Sequence, residues 1–211
     1  MTQIEVPAAR RSARKAKGDG HLRRAEILDA AERIFVAEGY DGATIRRIAD
    51  EVGVSSTALY MHFPDKSAIL MEICERTLTQ LLDRNTELAA KPVDPVVRMR
   101  MMMEAYVRWG LRHPNAYNLV YSGPKPDPSI WPEGTTELSW RCFEIYAQVV
   151  CEIAAAGRLR TGSADAAAQV TWMGCHGLVA LLTGRPTFRW EPTEELITVT
   201  LEGLMSGLVI D

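Results

Sequence analysis

The segment between Thr44 and Lys66 constrains the fold more than any other part of this 211-residue chain. It reads as two short helices joined by a tight turn, whose inward-facing apolar residues recur at helical spacing: Ile48, Ala49, Val52, Leu59 and Phe63. Gly53 stands where the first helix must end, because glycine adopts positive φ without a Cβ clash. Ser55 can cap the second helix through its hydroxyl group. Two such helices with a small, polar outer surface are typical of a structure that enters a DNA groove.

The rest of the chain predicts further helices and no strand. Apolar residues recur with helical periodicity, and nowhere do they alternate with period two for long enough to form a strand. We therefore expect an all-α fold of about nine helices, with a three-helix head followed by a larger helical body. The predicted organisation is a flexible basic arm over residues 1–20, a helix-turn-helix domain over 21–66 and the body over 67–211. Four prolines between residues 122 and 134 predict a surface loop.

Charge is distributed unevenly along the chain. Residues 1–24 contain seven basic and two acidic side chains, a net charge of +5, whereas the whole chain carries −3, so residues 25–211 carry −8. A basic arm on an acidic body suits local contact with a polyanion such as DNA. The alternative is a solvated tail that contacts nothing.

The cellular compartment is predicted from what the sequence lacks. No secretory apolar region opens the chain, and no apolar run approaches the roughly 20 residues of a membrane helix. The four cysteines show no CxxC spacing and no neighbouring histidine cluster, which favours reduced thiols and argues against a metal site. The sequence therefore predicts a cytoplasmic protein.

The two-helix segment between Thr44 and Lys66 resembles the DNA-binding motif of the TetR family of bacterial transcription regulators. The similarity covers about residues 22–72 and rests on Thr44, Ile48, Ala49, Gly53, Val54, Leu59, Tyr60, Phe63 and Lys66. A shorter similarity joins Trp172 to His176 and Gly177, and resembles the signature of the WHG-type C-terminal domain of one subgroup. The resemblance implies a homodimer that binds a pseudo-palindromic operator in double-stranded DNA. It also implies a body that dimerises and holds a small-molecule effector, which in most such proteins releases a repressor from DNA.

The DNA-contacting residues that we expect fall into two groups. Side chains with hydroxyl, imidazole or ammonium donors match family positions that contact phosphates: Thr44, Tyr60, His62 and Lys66. Residues along the second helix, with its capping residue, are placed to face the groove: Ser55, Ser56, Thr57, Ala58 and Met61. Arg46 is the guanidinium best placed to bind guanine O6 and N7 together. Simpler roles stay open, since Tyr60 can pack on its neighbours, His62 can cap a helix and Arg46 can remain solvated.

Aromatic and methionine side chains gather in the body and predict an effector pocket. The candidate lining residues are Met99, Met102, Met103, Tyr106, Tyr121, Trp140, Phe143, Trp172 and His176. Such a lining suits an apolar or aromatic effector, although the same spacing is also that of an ordinary core. Because His176 follows Trp172 by four residues, both share a helix face. His176 can hydrogen-bond a ligand there, although the pattern favours a histidine satisfied inside the core.

Small and branched apolar residues in the last two long helices predict a dimer seam. The candidate interface residues are Gly177, Leu181, Gly184, Leu201, Leu204 and Leu208. Small side chains let helix backbones approach, and a two-fold axis then produces a self-complementary four-helix seam. Two heads about 34–36 Å apart would reach successive major grooves of one duplex.

Other classes of function receive less support. The sequence lacks a nucleophile elbow, a phosphate-binding loop, a dinucleotide fingerprint and metal-ligand spacing, so we expect neither an enzyme nor a bound cofactor or metal. A DNA-binding regulator without an effector remains an alternative, as does a transcriptional activator. Redox sensing through Cys142 and Cys151 is a more distant possibility.

Overall fold

Nine α-helices make up most of the described chain. The computed structural model describes residues 20–122 and 133–210, with side chains over 23–121 and 137–210. In chain order the helices are α1 (Gly20–Gly42), α2 (Ile45–Val52), α3 (Ser56–Tyr60), α4 (Lys66–Ala89), α5 (Pro95–Arg112), α6 (Pro114–Tyr117), α7 (Glu133–Ala155), α8 (Ala164–Gly184) and α9 (Thr193–Leu208). A π-helical turn, Asn118–Ser122, follows α6.

The predicted all-α fold is confirmed. Over the residues described, the backbone forms no strand and only one isolated bridge, between Leu159 and Val209. The predicted arm, apart from Gly20, lies outside the described residues, as does the proline-rich loop apart from its two ends.

The first three helices and the start of α4 share one hydrophobic cluster. Its buried members include Ile27, Ile34, Phe35, Ile48, Leu59, Phe63, Ile69, Ile73 and Leu78. Leu119 and Val120 from the π-helical turn complete it. The cluster therefore continues past residue 66, where the sequence predicts a domain boundary, and α4 contributes to both the head and the body. The boundary itself stays a prediction.

The body is built around α5, which packs against α4, α6, α7, α8 and α9. Leu201 on α9 is only 2% exposed and belongs to the hydrophobic cluster of the body. Its predicted place in a dimer seam is therefore wrong, because the side of α9 that carries Leu201 faces the protomer's own core. Leu204 is half-buried, and its side chain occupies the space beside Gly174 of α8.

Gly110 lets α5 pack closely against α8. A Cβ atom at this position would lie 2.6 Å from Cγ1 of Val179 and 3.1 Å from Cδ2 of Tyr117. Val179 is fully buried and β-branched, so its side chain cannot rotate away without strain. We expect Gly110→Ala to lower the free energy of unfolding by about 1–2 kcal/mol, despite the higher helix propensity of alanine.

Chemical denaturation would measure this change against Gly42→Ala as a control. The new Cβ at Gly42 would meet only the Cβ of Glu38, at an ordinary 3.6 Å. The control should leave stability within about 0.5 kcal/mol of the original protein. A Gly110→Ala protein as stable as the control would show that α5 and α8 can separate without cost.

One face of α8 is apolar and exposed in the protomer. Val170, Met173 and Leu181 all lie exposed along it. Among the described helices, α8 is long and apolar enough by length and composition alone to cross a membrane, and 28% of its most apolar window is buried. This corrects the expectation that no segment of the chain meets that criterion. Within the protomer, the described residues leave this face of α8 uncovered.

Candidate functional site

Local capping interactions define the two helices of the predicted DNA-binding motif. The hydroxyl oxygen of Thr44 accepts the backbone N–H of Arg47 at 3.1 Å and starts α2. Gly53 ends α2 in the left-handed region, at φ 72° and ψ 36°. Ser55 caps α3 by accepting the N–H of Ala58 at 3.1 Å. Because each hydroxyl accepts in its cap, its own O–H remains available to donate to a phosphate oxygen.

Most of the predicted DNA-contacting residues lie on the surface of α2 and α3 or next to them. Thr44, Arg46, Ser55, Thr57, Ala58, Tyr60 and Met61 are exposed, and Ser56 and His62 are half-buried. The side chain of Arg46 is 87% exposed and lies 3.9 Å from Asp50, an ion pair that contributes little in water. Met61 is 83% exposed, which is unusual for a large apolar side chain in a small helical head.

Lys66 occupies a different environment from the one expected for a phosphate contact. Its ammonium group donates to the backbone carbonyl of Tyr40 at 2.5 Å and to that of Ala43 at 3.0 Å. The same group lies 4.2 Å from the centroid of the Tyr40 ring. Two of its three N–H donors are thus used within the protein. Lys66 therefore ties the start of α4 to the end of α1, and a phosphate contact through its third N–H stays a prediction.

Arg24 on α1 holds the end of α3, the predicted recognition helix, in place. Its guanidinium group forms a two-point ion pair with Glu72 of α4, in which Nε donates to Oε1 at 2.8 Å. A further N–H donates to the carbonyl of His62 at 2.6 Å, and the guanidinium carbon lies 4.2 Å from the Phe63 ring centroid. In the sequence, Arg24 is recognisable only as one of the seven basic residues of the stretch 1–24. The partner on α4 is 48 positions away, beyond the reach of any local pattern.

A cavity of about 650 Å³ lies in the body between α4, α5, α7, α8 and the π-helical turn. Eight of the nine predicted ligand-site residues line it: Met102, Met103, Tyr106, Tyr121, Trp140, Phe143, Trp172 and His176. Met99 does not, because it is fully buried in the hydrophobic cluster of the body, so its predicted ligand contact is wrong.

The cavity also has lining residues that sequence reasoning missed. They are Leu81, Asn85, Val120, Ser139, Cys142, Tyr146, Gln169, Thr171, Met173 and Cys175. Several are polar and stand next to predicted aromatic residues in the same helices. Their position in the sequence, between predicted lining residues, was the signal that could have identified them. Aspartate, glutamate, lysine and arginine are absent from the described lining.

Two tyrosines converge on His176 at one end of the cavity. The Tyr117 hydroxyl lies 2.6 Å from Nδ1 of His176, and the Tyr106 hydroxyl lies 3.2 Å from the same atom. Burial lowers the pKa of His176, which keeps its ring neutral at neutral pH. Burial also raises the pKa of Tyr117 to about 12, and that of Tyr106 further still, so both phenols stay protonated. This end of the cavity is polar but uncharged.

Comparison with known families accounts for both parts of the chain. Residues 27–73 match the bacterial regulatory proteins of the tetR family. Residues 99–204, about half of the chain, match the tetracyclin repressor-like C-terminal domain. The chain belongs to the TetR family. Proteins of this family are DNA-binding transcriptional regulators. The WHG subgroup stays a prediction, although Trp172 and His176 do lie together on α8 with ring centroids 5.5 Å apart.

Curated relatives of this TetR protein include an activator and a repressor of transcription. It is 27% identical over 129 residues to the transcriptional activator FasR of Mycolicibacterium smegmatis, covering 57% of this chain and 59% of FasR. It is 37% identical over 62 residues to the transcriptional repressor AcnR of Corynebacterium diphtheriae, covering 29% of this chain and 33% of AcnR. The TetR chain thus spans less than two thirds of each of these relatives.

A solved structure shares the fold over nearly the whole TetR chain. The transcriptional regulator FadR of Bacillus subtilis, in complex with stearoyl-CoA, matches with a TM-score of 0.73 and 18% identity. The match covers 87% of this chain and 98% of FadR. At this identity the similarity establishes the arrangement of helices and nothing about the ligand of this protein.

The cysteines of this TetR protein are poorly suited to a redox pair. Cys142 is buried, and desolvation raises the pKa of its thiol to about 12, which suppresses the reactive thiolate. Cys151 is exposed but lies nine residues further along α7, at a rise of about 1.5 Å per residue. The two sulfurs are therefore too far apart to form a disulfide without unfolding the helix. Over the described residues, no group of three or more potential ligands is placed to hold a metal ion.

Proposed function

We propose that this protein is a homodimeric repressor that binds a palindromic operator and is released by a small apolar or aromatic effector. The observation that carries the proposal is a residue shared by the cavity and the head. Val120 lines the cavity and also packs in the hydrophobic cluster of the head. Its neighbour Tyr121 lines the cavity and packs against both clusters. A ligand that displaces the π-helical turn would therefore act directly on the packing of the head.

In this proposal the protein works in the cytoplasm, where bacterial DNA is found. It acts by binding its operator and its effector, and not by catalysis. In this proposal, Thr44, Ser55, Tyr60 and His62 donate to phosphates and fix the position of the head on the duplex. Side chains at the start of α3 and beside it approach base edges: Ser56, Thr57, Ala58 and Met61. Arg46 donates hydrogen bonds to O6 and N7 of a guanine. Support comes from the exposure of most of these side chains and from the two helix caps.

Arg46→Ala should relax sequence preference at one operator position and weaken operator binding by roughly 1–3 kcal/mol. A bidentate guanidinium–guanine contact discriminates one base, and alanine cannot replace it. Titration of a set of operators, each with one altered base pair, would locate that position. Tyr60→Phe is the matched comparison, because loss of a phosphate contact should weaken all operators by a similar factor. Equal effects of the two variants on every operator would contradict the role of Arg46.

The exposed face of α8 supports dimerisation. A Cβ atom added at Gly177, Gly184, Gly203 or Gly207 would meet nothing within 4 Å in the protomer. These glycines leave room for a second pair of helices, and Leu181 and Val199 beside them expose apolar surface. We propose that α8 and α9 pair with their copies across a two-fold axis. Leu208, which is half-buried, would lie at the edge of that seam.

The dimensions and chemistry of the cavity support control by a ligand. A volume of about 650 Å³ falls within the range of sites for small organic molecules. The FadR neighbour is in complex with stearoyl-CoA, so a protein of this fold can bind a molecule with a long apolar chain. In this protein we propose a smaller effector that is mostly enclosed by aromatic and methionine side chains.

Selection of bound duplexes from a random DNA pool would test the proposed function. The expected product is an inverted repeat whose half-sites are about one helical turn apart, with one dimer bound to each duplex. Selection of no common sequence would overturn the proposal. The purified complex would then be titrated with neutral aromatic compounds to measure release.

Two alternative functions predict different results in the same experiments. An effector-independent regulator would select the same inverted repeat, but no compound that fills the cavity would change its operator affinity. An activator, as FasR is named, would bind its operator yet raise transcription from a reconstituted promoter. The proposed repressor lowers transcription, and its effector restores it.

A further inference from the structure

We infer that the cavity selects an uncharged, planar aromatic compound with a carbonyl oxygen, which His176 binds by a hydrogen bond. This inference rests on the proposed function, because it names the chemical class of the effector. It follows from three properties of the described cavity: the absence of charge, the arrangement of aromatic rings and the donor at one end.

The absence of charge excludes an anionic group inside the cavity. The described lining contains no lysine or arginine, and His176 is held neutral by burial. A carboxylate that left water for this cavity would lose its hydration without gaining a cation, at a cost of several kcal/mol. A neutral acceptor such as a ketone loses far less. Arg141, the base nearest in sequence to the lining residue Cys142, lies exposed on α7 and is not part of the wall.

The aromatic side chains form a continuous row along one wall. Trp140 and Phe143 of α7 meet edge-to-face with ring centroids 6.4 Å apart, and Phe143 meets Trp172 of α8 in the same way at 6.1 Å. Trp172 in turn contacts the His176 ring at 5.5 Å. A flat ligand laid along this row would meet ring faces and edges together, which aromatic pairs favour over aliphatic contacts. Trp140 is exposed, so the row also reaches the opening of the cavity.

The polar end presents one hydrogen-bond donor to a ligand. The Tyr117 hydroxyl lies 2.6 Å from Nδ1 of His176 and 3.2 Å from the His176 backbone carbonyl, and the shorter contact is best formed when this O–H donates to Nδ1. The ring proton then lies on Nε2, which takes part in no hydrogen bond among the described residues. The Tyr106 hydroxyl lies 3.2 Å from Nδ1, on the other side of the ring from Nε2–H, so these two groups do not share one acceptor. Nε2–H is free to donate, and a carbonyl oxygen can accept it.

Three matched compounds would test the inference: 2-acetylphenanthrene, 2-ethylphenanthrene and phenanthrene-2-carboxylate. They share one aromatic body and differ in the group that reaches Nε2–H of His176. Quenching of tryptophan fluorescence in the full-length protein would give each dissociation constant, since Trp140 and Trp172 line the cavity. We expect the ketone to bind about fivefold more tightly than the ethyl compound, as for one net hydrogen bond, and at least fiftyfold more tightly than the carboxylate.

A variant would assign the preference to His176. His176→Phe should reduce the ratio of ketone to ethyl affinity towards one, while keeping an aromatic wall. Tyr146→Phe is the matched comparison, because the Tyr146 hydroxyl also lies in the cavity but is already bonded to Thr171 at 2.6 Å. It should change the affinities for all three compounds by a similar factor. Circular dichroism would verify that each variant is folded.

The failure of this inference is distinguishable from the failure of the proposed function. A carboxylate that binds as tightly as the ketone would overturn the uncharged ligand class, and an equal affinity for the ethyl compound would overturn the hydrogen bond. Either result leaves an aromatic effector in place. If none of the three compounds binds, the inference is wrong, whereas the proposed function is judged independently by the operator selection and by release with other compounds.

Discussion

Replacing Leu181 with arginine should leave the protein monomeric and lower its affinity for a full operator by roughly 100-fold to 10,000-fold. The Leu181 side chain on α8 is 51% exposed in the protomer, so an arginine fits there without disturbing the core. In the proposed seam the same position is desolvated against a partner helix, where an unpaired guanidinium costs several kcal/mol. The two heads would then bind their half-sites independently, and the advantage of joining them would be lost.

Sedimentation velocity and titration of full and half operators would measure the two effects of Leu181→Arg separately. Gln80→Arg, at an exposed position on α4, is the control for the added charge and should remain a dimer. A Leu181→Arg protein that still sediments as a dimer would contradict the seam. A monomeric protein with undiminished affinity for the full operator would contradict the requirement for two heads.

The features of the head that the sequence predicted correctly depend on short-range interactions. The caps formed by Thr44 and Ser55 each bond to an N–H three residues ahead, and Gly53 acts through its own backbone conformation. Such signals are complete within a few residues. The order of helices followed in the same way, because each helix has its own apolar periodicity and its own cap or proline at the start.

The helical periodicity of apolar residues did not show whether a residue faces the core, the cavity or a second subunit. Met99 and Met102 stand three residues apart on α5, yet Met99 is enclosed by the core and Met102 lines the cavity. Leu201 is in the core of its own protomer, whereas Leu181 is exposed. A helical pattern specifies a face that avoids water, and a core, a ligand and a second subunit all satisfy that requirement. Only the packing of distant helices separates the three.

Polar residues escaped prediction where their partners are distant in sequence. Lys66 bonds to carbonyls 26 and 23 residues earlier, at the end of α1, so a side chain that looked available for phosphate is used inside the head. Asn85 lines the cavity while its amide donates to the carbonyl of Cys142, 57 residues away. A single sequence contains no periodic signal for such pairs. They become visible only when the helices that carry them are placed together.

Arg24→Ala should lower the free energy of unfolding by about 3 kcal/mol and weaken operator binding at least tenfold. The estimate combines about 1.5–3 kcal/mol for the charge-assisted hydrogen bond to the His62 carbonyl with up to about 1 kcal/mol for the partly exposed ion pair to Glu72. The contact with the Phe63 ring adds about 0.5–1 kcal/mol. His62 and Phe63 directly follow the recognition helix, so the loss of Arg24 frees that end of it.

Urea denaturation and operator titration, both at a temperature where the variant is folded, would test the Arg24 prediction. Arg33→Ala is the matched control on the same helix, because Arg33 is largely exposed and its ion pair with Glu51 is long, at 3.7 Å. It should cost less than about 0.5 kcal/mol. Arg24→Lys keeps the charge but not the planar fork, so it should restore less than half of the lost stability. Full recovery with lysine would mean that charge alone holds the recognition helix, and equal effects of Arg24→Ala and Arg33→Ala would mean that the bond to His62 contributes nothing.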